Sequence, residues 1–303
     1  MTLMTTHNGR GESGGVVGKA IRNVFARAEP GEVMRIQERA ADSQPRMGFF
    51  TDTTVCIGCK ACEVACKQWN QLPSDGIKFT GNSYDNTSHL SETTWRHVAF
   101  VEQMDRQGIH GKDRWLMMSD VCKHCDDAPC ENACPTGALV YNEFGNVYVQ
   151  PDICNGCGYC VTACPFGVLG RSEVDGHAHK CTLCFDRQTM GMEPACAKAC
   201  PTDSIQFGPI EELRAKARKR VEELHARGET DAWLYGADET EEYSRLNAFF
   251  LLKDHPHAYN LPEQPRRAKK GMAMRYLFSL AATAALAAIS AVAFMEGSRS
   301  QNA

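Results

Sequence analysis

Residues 56–66 read CIGCKACEVAC, with Cys56, Cys59, Cys62 and Cys66 at gaps of two, two and three residues. Either all four thiols serve one metal centre, or the first three form one set and the fourth belongs to another. The rest of the sequence bears on that choice, because the pattern recurs. The chain has 303 residues and 16 cysteines, which fall into four groups of four with none left over. Group two is Cys122, Cys125, Cys130 and Cys134. Group three is Cys154, Cys157, Cys160 and Cys164, and group four is Cys181, Cys184, Cys196 and Cys200.

Several functions that such a sequence could suggest fall away. A formal net charge of −4 gives no reason to expect nucleic acid as a partner. Disulfides fit poorly, since cysteines two residues apart seldom pair with each other and no apolar run of signal-peptide type opens the sequence. The glycine-rich SGGVVGKA at 13–20 fails as a phosphate loop. Ser13 stands where its first glycine is needed, and Ala20 where serine or threonine is needed.

Thiolates bind both zinc and iron–sulfur clusters, so the spacing must discriminate. Zinc ribbons pair two C-x2-C knuckles across a spacer; they need neither a third cysteine two residues later nor a proline closing each group. The run C-x2-C-x2-C-x3-C-P is the pattern of paired [4Fe–4S] clusters. Group three matches it in full as CNGCGYCVTACP, closed by Pro165, and group one differs only in Lys67 at the proline position. Groups two and four widen the middle gap to four and eleven residues and keep Pro135 and Pro201. Three cysteines on a tight loop can wrap three irons of one cube. The fourth starts a segment that leads away, so it reaches a neighbouring cube. Four complete groups predict four [4Fe–4S] clusters, with no replaced cysteine to suggest a three-iron centre. Lys60, Lys67, Lys123, Lys180 and Lys198 flank these cysteines. They are candidates for raising reduction potentials by charge and hydrogen bonding, against the plain reading of solvated lysines. His124, inside group two, reads as a cluster neighbour or a surface residue, because four thiolates leave no need for imidazole.

Along the chain, 1–44 is glycine-rich and polar. It reads as an N-terminal arm, partly disordered or draped on a partner, with a short helical pattern at 33–41. Residues 45–208 hold the cysteine groups among β-prone runs at 48–51, 97–103, 115–119, 139–142, 147–150 and 204–207, and 67–121 reads as an insertion. This implies a loop-rich α+β domain whose core is largely cofactor. Residues 209–271 read as a surface helix and an extended tail. The helix starts at Pro209 and stops at Gly228, with a thin apolar side of Ile210, Leu213, Val221 and Leu224. The uncharged run YLFSLAATAALAAISAVAFM at 276–295 is about 30 Å long as a helix, the depth of a bilayer core. It predicts a transmembrane helix over 272–296, and its eight alanines suit close packing on partner helices.

With these residues in hand, the chain resembles the four-cluster ferredoxin subunits of molybdenum or tungsten bis-pyranopterin oxidoreductases. More closely, it is similar to the iron–sulfur (beta) subunit of membrane-bound formate dehydrogenase. The stretches that carry the resemblance are RMGFFTDTTVCIGCKACEVACKQWN, CKHCDDAPCENACPTGAL, CNGCGYCVTACPFGV, KCTLCFDRQTMGMEPACAKACPTDSIQFG and the tail FFLLKDHPHAYNLPEQP. It covers about 33–295, and the segment before that departs from it. The resemblance implies two ferredoxin-like dicluster lobes, one from groups one and four and the other from groups two and three. It implies that Cys56, Cys59, Cys62 and Cys200 hold a first cluster, and Cys66, Cys181, Cys184 and Cys196 a second. Cys122, Cys125, Cys130 and Cys164 would hold a third, and Cys134, Cys154, Cys157 and Cys160 a fourth.

On this reading the chain is no enzyme by itself. A separate molybdenum- or tungsten-pterin catalytic (alpha) subunit oxidises formate. Electrons then pass through clusters one to four to a membrane cytochrome b or quinone-reactive (gamma) subunit. The alternatives are the same relay for a sulfur-compound, nitrate-type or dimethyl-sulfoxide-type reductase, a free polyferredoxin, and a zinc-structured interaction protein. The membrane helix speaks against the free ferredoxin. The location implied is the cytoplasmic membrane of a prokaryote, with one span in lipid. Arg266, Arg267, Lys269, Lys270 and Arg275 precede the span and Arg299 follows it, which points the clusters to the cytoplasm. The formate dehydrogenases that this tail resembles work on the periplasmic face, exported with a signal-bearing partner. The reading leans periplasmic, with the cytoplasmic face as the alternative.

Overall fold

The computed structural model describes residues 45–76, 79–81, 84–104, 113–240, 243–265 and 272–300. The arm expected over 1–44, with its helical pattern at 33–41, lies outside the described residues. Strand β1 (Met47–Asp52) leads through a short 3-10 turn and the first cysteine group into helix α1 (Ala61–Trp69). Strands β2 (Arg96–Gln103) and β3 (Arg114–Val121) form an antiparallel pair. The middle of the chain holds α2 (Pro129–Asn132), β4 (Leu139–Tyr141), β5 (Val147–Val149) and α3 (Tyr159–Ala163). Next come a two-stranded ribbon of β6 (Gly170–Arg171) and β7 (Ala178–His179), then α4 (Phe185–Thr189), α5 (Ala195–Lys198) and β8 (Ile205–Pro209). The remaining elements are α6 (Ile210–Ala226), β9 (Trp233–Tyr235), β10 (Ala248–Leu252) and α7 (Met272–Ser300). Each of the six β-prone runs falls on a strand, in order β1, β2, β3, β4, β5 and β8.

One four-stranded sheet organises the fold, in the order β8-β1-β10-β9. β1 runs antiparallel to β8, with Phe49 opposite Phe207, and parallel to β10, with Phe50 opposite Phe249. Alternate side chains of a strand point to opposite faces, and MGFFTD uses both. Phe49 meets Phe207 edge-on at 5.9 Å, on the side of the cysteines. Phe50 stacks on Phe249 at 5.3 Å, on the side covered by α6.

Two expectations change here. The stretch over 209–271 is no peripheral tail, because β10 lies inside the sheet and every residue of it is buried. Phe249 and Leu251 pack beneath α6, while Phe250 and Leu252 pack with Met118 and Tyr235 on the opposite face. A strand covered on both faces reads as an unbroken apolar run, so AFFLL carries no alternation to betray it. The helix also does more than lie on a surface. Ile210, Leu213, Ala217 and Leu224 seal the sheet, and the Arg214 stem is buried among them with its guanidinium donating to Glu211 at 2.6 Å. Arg220 reaches back to Asp52 at 2.9 Å and ties the helix to the end of β1. Gly228, at φ +87°, ends the helix: its N–H donates to the His225 carbonyl, and that of Glu229 to Leu224.

The two strand pairs frame the cysteine groups in the same way. β1 enters group one and β8 leaves group four, and α1 packs on α5 between them. β4 leaves group two and β5 enters group three, and α2 packs on α3. The stretch 67–121, read as an insertion, supplies Val98, Met118 and Val121 to the buried interior. Helix α7 is apolar over Met274–Phe294, 21 residues or roughly 32 Å, with every side chain of that run exposed.

Candidate metal centres

All four C-x2-C loops bend alike. The residue before the second cysteine takes a left-handed φ each time: +65° at Gly58, +43° at His124, +69° at Gly156 and +56° at Leu183. Such a bend turns successive backbone N–H groups toward the concave side, where an anion sits well. The Leu183 N–H already points at the Cys181 Sγ, 3.3 Å away. Gly156 has a second reason to be glycine, because a Cβ there would lie 2.2 Å from the Gly176 carbonyl oxygen. Gly158 is also left-handed, at φ +77°, yet a Cβ there would meet nothing within 4 Å. Gly156→Ala is therefore expected to keep the third loop from closing and to lower iron from about sixteen to about twelve atoms per chain. Gly158→Ala should cost only about 1–2 kcal/mol of backbone strain and keep its iron. Equal iron in the two variants would refute this account of the loop.

The fold brings the distant groups together in quartets. Cys56, Cys59, Cys62 and Cys200 line one cavity. Cys122, Cys125, Cys130 and Cys164 line a second. Cys66 lies within electrostatic reach of Cys181, Cys196 and Cys184; burial first, then these neighbours, push its thiol well above the ordinary range. The Cys160 thiol is raised likewise by burial and then by Cys154, Cys134 and Cys157. The quartets also adjoin one another in order. Cys62 neighbours Cys196, Cys181 neighbours Cys122, and Cys130 neighbours Cys160.

Three observations fit these quartets to cubane clusters. First, four thiols drawn from two cysteine groups line each of two cavities. A cubane takes one thiolate on each of its four irons. Second, the free thiols are poor anions where they stand. Burial, joined by neighbouring thiolates, pushes Cys181 up to about 12, and burial pushes Cys62 up to about 11 against the pull of Arg96. A cationic iron core reverses that balance and releases protons as it binds. Third, His124 is fully buried against the second cavity, and neither ring nitrogen makes a hydrogen bond of ordinary geometry. A buried donor facing sulfur-lined space suits a sulfide acceptor. The surface reading of His124 is thus corrected.

The five flanking lysines separate into three kinds. Lys60 pairs with Glu63 and Asp85, and Lys67 with Asp75, so carboxylates already meet their charges. Lys67, at the position where the other groups keep proline, also donates to the Pro73 and Thr93 carbonyls at 3.0 Å and holds the following loop. Lys198 is exposed. Lys123 and Lys180 are buried. Lys123 pairs with Asp120 and stands 5.2 Å from the Phe166 and Phe250 rings. Lys180 donates to the Val147 and Cys181 carbonyls, at 2.5 and 2.9 Å. The sequence reading missed Arg96 and Ser119. Both lie on β2 and β3, far in sequence from any cysteine that they touch, and only the sheet register brings them there.

Paired thiol quartets on strand–loop–helix units define a ferredoxin-type carrier of four [4Fe–4S] clusters, which moves electrons and performs no substrate chemistry. Comparison with known proteins agrees. Two family profiles, each described as a 4Fe-4S dicluster domain, match residues 55–138 and 113–210. The formate dehydrogenase-O iron-sulfur subunit of Escherichia coli (strain K12) is 40% identical over 233 residues, 75% of this chain and 74% of that protein. The nitrate-inducible formate dehydrogenase iron-sulfur subunit of the same organism is 38% identical over 229 residues, 74% of this chain and 75% of that protein. A component of its anaerobic dimethyl sulfoxide reductase is 38% identical over 174 residues, 56% of this chain and 76% of that protein. The chain belongs to the family of formate dehydrogenase iron–sulfur subunits.

Proposed function

We propose that this chain relays single electrons from a molybdenum- or tungsten-pterin formate dehydrogenase catalytic subunit to a membrane cytochrome b or quinone site. The observation that carries the reading is the linear order of the quartets, with exposed thiols only at its two ends. Of the 16 cysteines, only Cys59 in the first quartet and Cys157 in the fourth are exposed, and the second quartet is buried throughout. Each end offers a thiol edge to a partner.

On this proposal Cys56, Cys59, Cys62 and Cys200 hold cluster one, and Cys66, Cys181, Cys184 and Cys196 hold cluster two. Cys122, Cys125, Cys130 and Cys164 hold cluster three, and Cys134, Cys154, Cys157 and Cys160 hold cluster four. Groups one and four make one lobe and groups two and three the other, interleaved within 45–208. The pairing of β1 with β8 and of β4 with β5 supports that grouping. When bound, the cubanes supply one-electron oxidation and reduction. The protein holds them by thiolate, lines them with N–H donors and buried cations, and shields the middle of the array.

Formate is favoured over dimethyl sulfoxide by extent of likeness: the match runs over 233 residues in one case and 174 in the other. Adding formate to the assembled complex under anaerobic conditions is expected to bring up the reduced-cluster signals in electron paramagnetic resonance. Clusters that stay oxidised with formate, yet are reoxidised by dimethyl sulfoxide after chemical reduction, would move the partner to the reductase class. Helix α7 anchors the chain in the cytoplasmic membrane beside the quinone-side subunit. The basic run before the span argues for a cytoplasmic face. That rule loses force for a span inserted after a folded domain has been exported, and we place the clusters on the periplasmic side. Protease added to intact spheroplasts should then cut the cluster domain, and full protection would put it in the cytoplasm.

A further inference from the structure

Arg96 is 1% exposed, at the start of β2. One arm of its guanidinium donates to the Cys196 Sγ at 3.2 Å. The other donates to the Ser119 Oγ and the Ser119 carbonyl, each at 3.3 Å. The Ser119 Oγ in turn lies 3.3 Å from the Cys62 Sγ. The guanidinium carbon sits 4.8 Å from the centre of the Phe49 ring, which walls it off. One planar cation thus touches the second quartet directly and the first through a single hydroxyl.

Among the described residues its charge meets no carboxylate, and its Nε makes no hydrogen bond. Lys60, Lys67 and Lys123, by contrast, each meet an aspartate or glutamate. An unpaired buried cation is costly unless anions face it. The groups that face Arg96 are the Cys196 thiol directly and the Cys62 thiol through the Ser119 hydroxyl. A thiolate-bound cubane is anionic and grows more so on reduction, so it supplies the missing counter-charge.

We propose that Arg96 is a positioning residue for electron transfer, holding the reduction potentials of clusters one and two above what their thiolates alone would set. The proposal rests on the ligand sets given above. A cation stabilises the reduced, more negative state of a nearby cluster, and a buried one is little screened by salt. The forked guanidinium serves two clusters at once, which a point charge at the same site cannot do equally. Lys123 and His124 line the third cluster's cavity and Lys180 stands by Cys130, whereas none of the hydrogen bonds described for Arg96 goes to a ligand of cluster three or four.

The test is a potentiometric titration of the assembled complex, with each cluster followed by electron paramagnetic resonance. In Arg96→Gln, the equilibrium constant for reduction is expected to fall at least tenfold at clusters one and two, a downward shift of about 59 mV or more per electron. Clusters three and four should hold their wild-type values. Arg96→Lys, which keeps a charge, should sit between the Gln variant and wild type. A Gln variant with full iron and unmoved potentials overturns the proposal. So do four potentials that shift together, or a Lys variant as low as the Gln variant. Should Arg96→Gln fail to load iron, the wild-type complex decides. With guanidino-¹⁵N-arginine, the reduced second cluster should show nitrogen coupling through the Cys196 sulfur, and its absence overturns the assignment. Wrong ligand sets would announce themselves separately, in which signal is lost when Cys66 is replaced.

Discussion

Cys66→Ala is expected to abolish the cluster held with Cys181, Cys184 and Cys196, and to spare the one held by Cys56, Cys59 and Cys62. Iron should fall from about sixteen to about twelve atoms per chain, with acid-labile sulfide falling in step. The reason is spatial. Cys66 follows Cys62 closely in sequence, yet it sits on α1 facing the loop of group four, where α1 packs on α5. It is buried, with the Asn70 side-chain amide 3.7 Å from its sulfur, so no water can stand in for the missing thiolate. The second quartet is also the second link of a linear array. Electron flow from formate to quinone should therefore drop to background, while the catalytic subunit still reduces an artificial acceptor. Loss of the first cluster's signal alone would show that the four cysteines of 56–66 act as one set, and the exchange of fourth ligands would be wrong.

The second large effect lies far from any cysteine. Phe249→Ala removes a fully buried ring from the inside of the sheet, where it stacks on Phe50 under α6. Replacing a core phenylalanine by alanine costs about 3–5 kcal/mol, a large share of the 5–15 kcal/mol that typically holds a domain together. In the assembled complex this should appear as a lower denaturant midpoint, followed by the bleaching of cluster absorbance. A change below about 1 kcal/mol would mean that the segment 248–252 is dispensable and that the sheet ends at β1. Exposed Trp233, on the edge strand β9, makes a suitable contrast, since truncation there leaves no enclosed cavity.

The cysteine grammar was legible because ligand spacing is a local property of the chain. The six β-prone runs were legible for a similar reason: each is short, β-branched or aromatic, and bounded by turn residues. What escaped was the part set by distant pairing. AFFLL gives no period-two signal because both its faces are covered. Arg96 gives none either, since nothing in TWRHVAF marks an arginine that will lie against Cys196. His124 could be noticed but not placed, because burial depends on how the loops of groups two and three close over it. The lysines show the limit from the other side. Five look equivalent beside their cysteines, and the fold leaves only Lys123 and Lys180 buried.

The pairing of β1 also dictates a schedule for biosynthesis. Phe49 finds its neighbours in Phe207 and Ala248, so β1 leaves the ribosome long before either exists. At 5–20 residues per second the wait for β10 is roughly 10–40 s. Groups two and three draw all their cysteines from Cys122 to Cys164, with β4 and β5 near neighbours in the chain, although the group-two loop also bridges to Leu246. On the proposed grouping, the cysteines of the middle lobe are all synthesised before the lobe that gathers both flanks has its last ones. Until then a nascent chain carries an unpaired apolar strand edge and eight open thiols, and it is at that stage that a chaperone or iron donor has most to protect.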